Sequence, residues 1–198
     1  MNNLHSTNHF RNLLFAFIAV VLMVSCKKSE SIPDDPNIVH TVYNKTILSS
    51  STSTATKDSI DVNLDTKYDF AVLSLHVASG DTAINYMLGE EAAVYVDSTQ
   101  QIGGLIYGAQ SLADNQKPER LGTQTRWSLY ASIGSKFGAN VYGVQGDKYI
   151  PIIVRNFSNN KFHYGWVHVN ISSDFNTVKI IDAAYNVIPD EPIAMGAQ

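Results

Sequence analysis

The chain reads as an all-β protein: an antiparallel β-sandwich or jelly roll in a single domain, with at most one short helix. Three observations predict this. Short segments of alternating apolar and polar residues, rich in β-branched and aromatic side chains, recur along the chain; successive side chains of a strand leave opposite faces, so a half-buried strand shows this period of two. Turn clusters such as Ser79-Gly80-Asp81, Ser158-Asn159-Asn160 and Ser172-Ser173-Asp174 separate them at hairpin-like intervals. The last three segments, joined by two of those turns, form a three-stranded meander.

In order, the strand segments are IVHTVYNKTIL (38–48), DFAVLSLHV (69–77), TAINYML (82–88), AAVYVD (92–97), RWSLYASI (126–133), KYIPIIVRN (148–156), KFHYGWVHVNI (161–171) and TVKIIDAAYN (177–186). Pro151 has no N–H for a ladder, which places its strand at a sheet edge or a bulge. The stretch YGAQSLADNQKPERLG (107–122) breaks the alternation and reads as a short helix around Ser111–Asn115 or as a long surface loop. In residues 161–171 one face carries Val167, Val169 and Ile171, and the other Tyr164, Trp166 and His168, with Gly165 leaving a gap beside Trp166. A buried Trp166 requires cover on both faces of its strand, which residues 107–122 are placed to supply.

The N-terminal residues carry Arg11 and then an unbroken apolar run from Leu13 to Val24. Crossing a bilayer takes roughly 20 apolar residues and a signal-peptide core about 7 to 15, so this run is an export signal. It ends in MVSCKKSE, with Ser25 directly before Cys26, the one cysteine of the chain. This resembles a lipoprotein signal, in which cleavage leaves the cysteine to be acylated; Met23 stands where such signals usually carry Leu. The other reading is a buried free cysteine after an unrelated apolar helix. Residues 1–25 are thus expected to be a signal peptide, 26–36 the acylated cysteine with a Pro-containing flexible tether, and 37–198 the β-domain. Acylation of Cys26 removes the thiol, so the domain is expected to have neither a disulfide nor a cysteine nucleophile. The lysine-rich and acidic residues after Cys26 resemble the lipoproteins of Bacteroidota, which implies anchoring at the outer membrane, on its periplasmic face or at the cell surface.

The formal net charge is −4, and no Lys/Arg cluster occurs beyond the tether, which argues against a nucleic-acid partner. The histidines after the signal, His40, His76, His163 and His168, sit in strand patterns with no i, i+4 pair for a zinc site. His163 and His168, an odd number of residues apart, face opposite sides of one strand. There is no G-x-S-x-G elbow. A glycosidase needs two carboxylates across a cleft, for which Glu90, Glu91, Glu119 and Asp182 are the candidates; Asp182, between Ile181 and Ala183, also reads as a hydrogen-bonded structural carboxylate. Trp127, Trp166, Tyr107, Tyr130, Tyr142, Tyr149 and Tyr164 are either sandwich core or a sugar-stacking platform, and Tyr142 and Tyr149 are the ligand-binding candidates.

DSIDVNLDTKYDF (58–70) supports two readings. Asp61, Asn63, Asp65 and Asp69 fall at positions 1, 3, 5 and 9 of a calcium loop, with the Lys67 carbonyl at position 7; a tight loop turns such alternate oxygens toward one point, and Ca²⁺ takes six to eight of them. Thr66 replaces the usual Gly of position 6, and Val72 the Glu of position 12. The same alternation with Ile60, Val62 and Leu64 also describes a half-buried strand ending in a turn at Thr66-Lys67.

The segment KFHYGWVHVNI…TVKIIDAAYNVIPDEPIAMG resembles the end of many secreted bacterial β-sandwich domains: a YGW strand, then D-x-A-Y, then a late Pro-Ile and Gly. Their upstream part commonly carries an acidic D-x-D-x-D-G repeat ending in D-F, which DVNLDTKYDF matches in part. Several of those proteins end in sorting tags, whereas this sequence stops at Gln198 without one, as suits anchoring by the other end. The resemblance implies a fold and an exported location, and no reaction. The triplets DSI (58–60), DTA (81–83) and DST (97–99) resemble O-glycosylation sequons of exported Bacteroidota proteins. The expected function is an exported, lipid-anchored, non-enzymatic binding or structural module for a glycan or a partner protein. The alternative is a polysaccharide-acting enzyme, a glycosidase or lyase.

Overall fold

Alternation of apolar and polar residues becomes thirteen strands among the described residues of a computed structural model, which are 35–49, 54–77, 82–102, 106–118, 127–156 and 159–198. They are β1 (Ile38–Leu48), β2 (Thr56–Ile60), β3 (Phe70–Val77), β4 (Thr82–Gly89), β5 (Ala92–Ile102), β6 (Ile106–Ala109), β7 (Trp127–Ser128), β8 (Tyr130–Ser132), β9 (Gly134–Phe137), β10 (Asn140–Gly143), β11 (Gly146–Asn156), β12 (Lys161–Ile171) and β13 (Thr177–Asn186). The described residues contain no helix. All belong to one compact unit, Ile32–Gln198. The expected signal segment and the expected acylation site, Cys26, lie outside them.

The strands form one open sheet in the order β1-β13-β12-β11-β5-β6-β8-β4-β3-β2, with β7 on β5, and β9 joining β4 to β10. Pairing is antiparallel except between β6 and β8. The long strand β5 serves both halves: Ala92–Val94 pair with β11, and the part from Val96 onward pairs with β6 across a bulge between Asp97 and Gln101. A bulge raises local twist and bends the strand, so the halves pack face to face. Val94, Ile150, Ile152, Val167, Val169 and Ile180 from one half and Phe70, Val72, Met87 and Ile133 from the other share one buried cluster. The end strands of the sheet order are tied together by side chains. The Lys45 ammonium on β1 donates to Asp58 Oδ1 at 2.8 Å and to the Ser59 carbonyl at 2.7 Å on β2. Both edges are thereby partly closed to other chains.

Of the two readings of residues 107–122, a short helix or a surface loop, the helix at Ser111–Asn115 does not form. Leu112 instead bridges Tyr149 of β11, Asn115 turns with φ 65°, and the Asn115 and Met195 amides donate to the Met195 and Gln116 carbonyls respectively. The C-terminal segment thus satisfies backbone groups that a helix would have satisfied internally. The expected strand at 126–133 is split into β7 and β8, with Arg126 outside the described residues, and the hairpin β9–β10 was not legible in the pattern. Pro151 lies inside the sheet rather than at its edge. It is tolerated because β5 pairs only with Ile152–Val154, so no strand stands opposite Pro151 on that side.

Trp166 is buried (0% exposed), with its indole on the face away from Val167 and Val169. Its cover is mostly the C-terminal segment, through Ile193 and Met195, joined by Ile38, Leu112 and Tyr149; residues 107–118 contribute Leu112 alone to this cluster. Gly165 leaves no gap. A Cβ there would stand 2.4 Å from the Ala184 carbonyl oxygen of β13, so the neighbouring strand occupies the space that a side chain would need.

Candidate ligand cleft

The outer face of β11, β12, β13 and β1 carries a row of polar side chains set by strand register. Tyr149 pairs with His168, and His168 with Asp182. His168 donates from Nδ1 to Asp182 Oδ1 at 3.0 Å, and His40 from Nε2 to Asp182 Oδ2 at 2.9 Å. On the other side, His168 Nε2 is hydrogen-bonded to Asp147 Oδ1. Both ring nitrogens of His168 are thus engaged by carboxylates, which fixes the orientation of the imidazole. The Asp182 and His168 side chains are 13% and 14% exposed, and Asp147 is 63% exposed, so the row runs from the interior out to solvent.

At the solvent end lies a cleft of about 540 Å³ lined by Leu112, Ala113, Asp114, Asp147, Lys148, Tyr149 and His168. Tyr149 stacks on His168 with ring centroids 4.2 Å apart and planes 20° apart, and meets Trp166 edge-on at 5.0 Å. The ring is therefore held by neighbours on two sides. Its phenol pKa is pushed up by burial and then by the negative charges of Asp182, Asp114 and Asp147. Sequence reading singled out Tyr149 and Asp182 separately. The roles of Asp114 and Asp147 had no signal, since neither belongs to a motif and only folding brings them to the same ring.

The acidic stretch is a loop beyond Ile60, where β2 stops, so the strand reading of residues 59–65 holds only for Ser59 and Ile60. Positive φ values at Leu64 (59°) and Thr66 (75°) curl it. Its side chains cap its own backbone. Asp61 accepts from the Asp65 and Thr66 amides at 3.2 and 2.9 Å, Asn63 from the Asp65 amide at 3.0 Å, and Asp65 from the Lys67 amide at 2.9 Å. Buried Asp69 accepts from the Val62 and Asn63 amides at 2.7 and 3.2 Å. Burial raises the Asp69 pKa to about 7; its amide donors oppose this, and Asp61 and Asp65 add to it. Tyr43 and Tyr185, which donate to the Asp61 and Asn63 carbonyls, are also pushed up, first by burial and then by these aspartates. Among the described residues, no group of three or more His, Cys, Asp or Glu side chains is arranged to hold a metal ion.

No protein-family model, no curated protein and no solved structure matches the chain.

Other candidates disperse. Tyr142 is on β10, edge-on to Phe137 at 5.9 Å, and does not line the Tyr149 cleft. Trp127 and Tyr164 pack on each other at 5.8 Å beside Tyr95, Tyr107 packs on the main core, and Tyr130 is 52% exposed. His163 is buried and hydrogen-bonded through Nδ1 to the Asn186 carbonyl, on the opposite face from His168. Glu90 and Glu91 line a second cleft, of about 340 Å³, with Leu129, Arg155 and Phe162, so they do not face Asp182. Glu119 lies outside the described residues. Of the three triplets, Ser98 is exposed, Ser59 is half-buried in β2, and Asp81 lies outside the described residues.

Proposed function

We propose that the chain is an exported, lipid-anchored, non-enzymatic binding module at the outer membrane, and that its ligand, a glycan or a segment of a partner protein, seats on Tyr149. The observation that carries this is an aromatic ring braced by His168 and Trp166 at the floor of an open cleft. A pre-positioned ring gives up little freedom when a ligand stacks on it, and such concave aromatic sites with a few polar groups are the usual form of a binding site. The enzymatic alternative has less support. Asp182 is committed to two imidazoles, and Asp114 and Asp147 are exposed, outside the apolar pocket that keeps a catalytic acid protonated. The test is a glycan and peptide array probed with the detergent-solubilised chain and with Tyr149→Ala. Ligand retained by wild type and lost by Tyr149→Ala supports the reading, and equal retention by both overturns it.

A second reading concerns the acidic loop. The close approach of its aspartates, whose negative charges help burial to raise the pKa values of Asp69, Tyr43 and Tyr185, together with the 1, 3, 5, 9 spacing of Asp61, Asn63, Asp65 and Asp69 and the Lys67 carbonyl, supports a weak calcium site that would clamp β2 to β3.

A further inference from the structure

We propose that the Tyr149 cleft takes an organic cation, an ammonium or guanidinium group seated over the Tyr149 ring between the Asp114 and Asp147 carboxylates. This rests on the binding reading above and names the chemistry of its ligand.

Charge and geometry converge on that class. Two of the cleft's seven lining residues are aspartates, on separate segments that meet at the cleft with Tyr149. Asp114 is exposed and has no cationic partner among the described residues. Asp147 gives Oδ1 to His168 while its side chain stays 63% exposed, so its second oxygen is open to the cleft. Lys148 also lines the cleft and is exposed, but no ion pair joins it to Asp114 or Asp147 among the described residues. His168 stacks on the Tyr149 ring with both nitrogens engaged by Asp182 and Asp147, so neither is free to take a ligand. The cleft thus brings the half-buried Tyr149 ring and the two exposed carboxylates to one surface. A ring's negative face and flanking carboxylates both attract a cation and repel an anion. A neutral sugar would use the ring and leave the carboxylate charge unused, and an acidic sugar would meet repulsion.

The experiment uses the detergent-solubilised full chain with four probes: a short lysine peptide, the same peptide acetylated on the lysine side chain, glucosamine oligomers and N-acetylglucosamine oligomers. Proteins are wild type, Tyr149→Ala, and the double variant Asp114→Asn with Asp147→Asn, whose amides keep the shape and an acceptor for His168. The expected result is binding of a cationic probe that weakens as salt rises, is about tenfold or more weaker in the double Asn variant, and is absent for the acetylated counterpart. Lysine peptide and glucosamine oligomer distinguish a protein source from a glycan source of the cation. Neutral probes binding as well as cationic ones, with dependence on Tyr149 and none on the aspartates, overturns the cation inference and leaves the binding reading standing. Binding of no probe, or binding indifferent to Tyr149→Ala, overturns both.

Discussion

His168 Nδ1 lies 3.0 Å from Asp182 Oδ1 because the two residues are directly paired across β12 and β13. The second Asp182 oxygen accepts from His40, one strand further out. A carboxylate that is 13% exposed is stabilised here by two N–H donors, and each imidazole has its orientation set by the shared acceptor. Asp182→Ala leaves both rings without that acceptor, so stability to urea should fall by about 1 to 3 kcal/mol. A change of a few tenths would mean that the row is solvated and contributes little.

Trp166→Ala should cost about 3 to 5 kcal/mol, since a fully buried indole is removed from between two covered faces. The cover on its outer side comes from Ile193 and Met195. The double substitution of those two by Ala should therefore produce a loss that is not additive with Trp166→Ala, because all three empty one cluster. Full additivity in chemical denaturation would show that the C-terminal segment packs independently of the indole.

Asp69 makes stability fall with rising pH. Its pKa in the fold is raised to about 7, above its unfolded value, so the folded chain holds the proton more tightly. That contribution is fully present below the unfolded value and is lost as pH rises through about 7. Compared with Asp69→Asn, whose side-chain oxygen still accepts from the Val62 and Asn63 amides, wild type should lose stability between pH 5 and pH 8 by up to about 1.4 kcal/mol per unit. Parallel pH profiles for the two proteins would rule this out.

Calcium should act in the opposite direction at the same loop. Isothermal titration of the chelator-treated chain is expected to give one weak site, at roughly 10⁻⁴ to 10⁻³ M, abolished by Asp61→Ala with Asp65→Ala. Saturating calcium should raise the melting temperature at pH 8 more than at pH 5, where protons compete at Asp69. No heat and an unmoved melting temperature at millimolar calcium would leave the loop as a turn capped by its own backbone amides.

Cys26→Ala should convert the protein from membrane-associated to soluble or unprocessed, and a metabolically incorporated fatty-acid probe should label only the chain that keeps Cys26. Label retained by the variant would sink the anchor.

Period-two alternation and the turn residues between segments located β1, β12 and β13 to the residue, because side chains of one strand face alternate with those of the other. It was silent on β6, β9 and β10, four residues each, too short to show a period. The burial of Trp166 was legible, but the identity of its cover was not, since the C-terminal segment that supplies it has no alternation of its own. At the acidic stretch, alternating residues suited strand and loop equally; the left-handed turns at Leu64 and Thr66, held by amide donors to Asp61 and Asn63, decided for the loop. Most of all, the cleft was out of reach. Asp114, Asp147, Tyr149, His168 and Asp182 come from four segments, and their meeting depends on the register of β11 with β12 and of β12 with β13 and on the Leu112 bridge. Those are non-local pairings, and a single sequence carries no record of which residue stands opposite which.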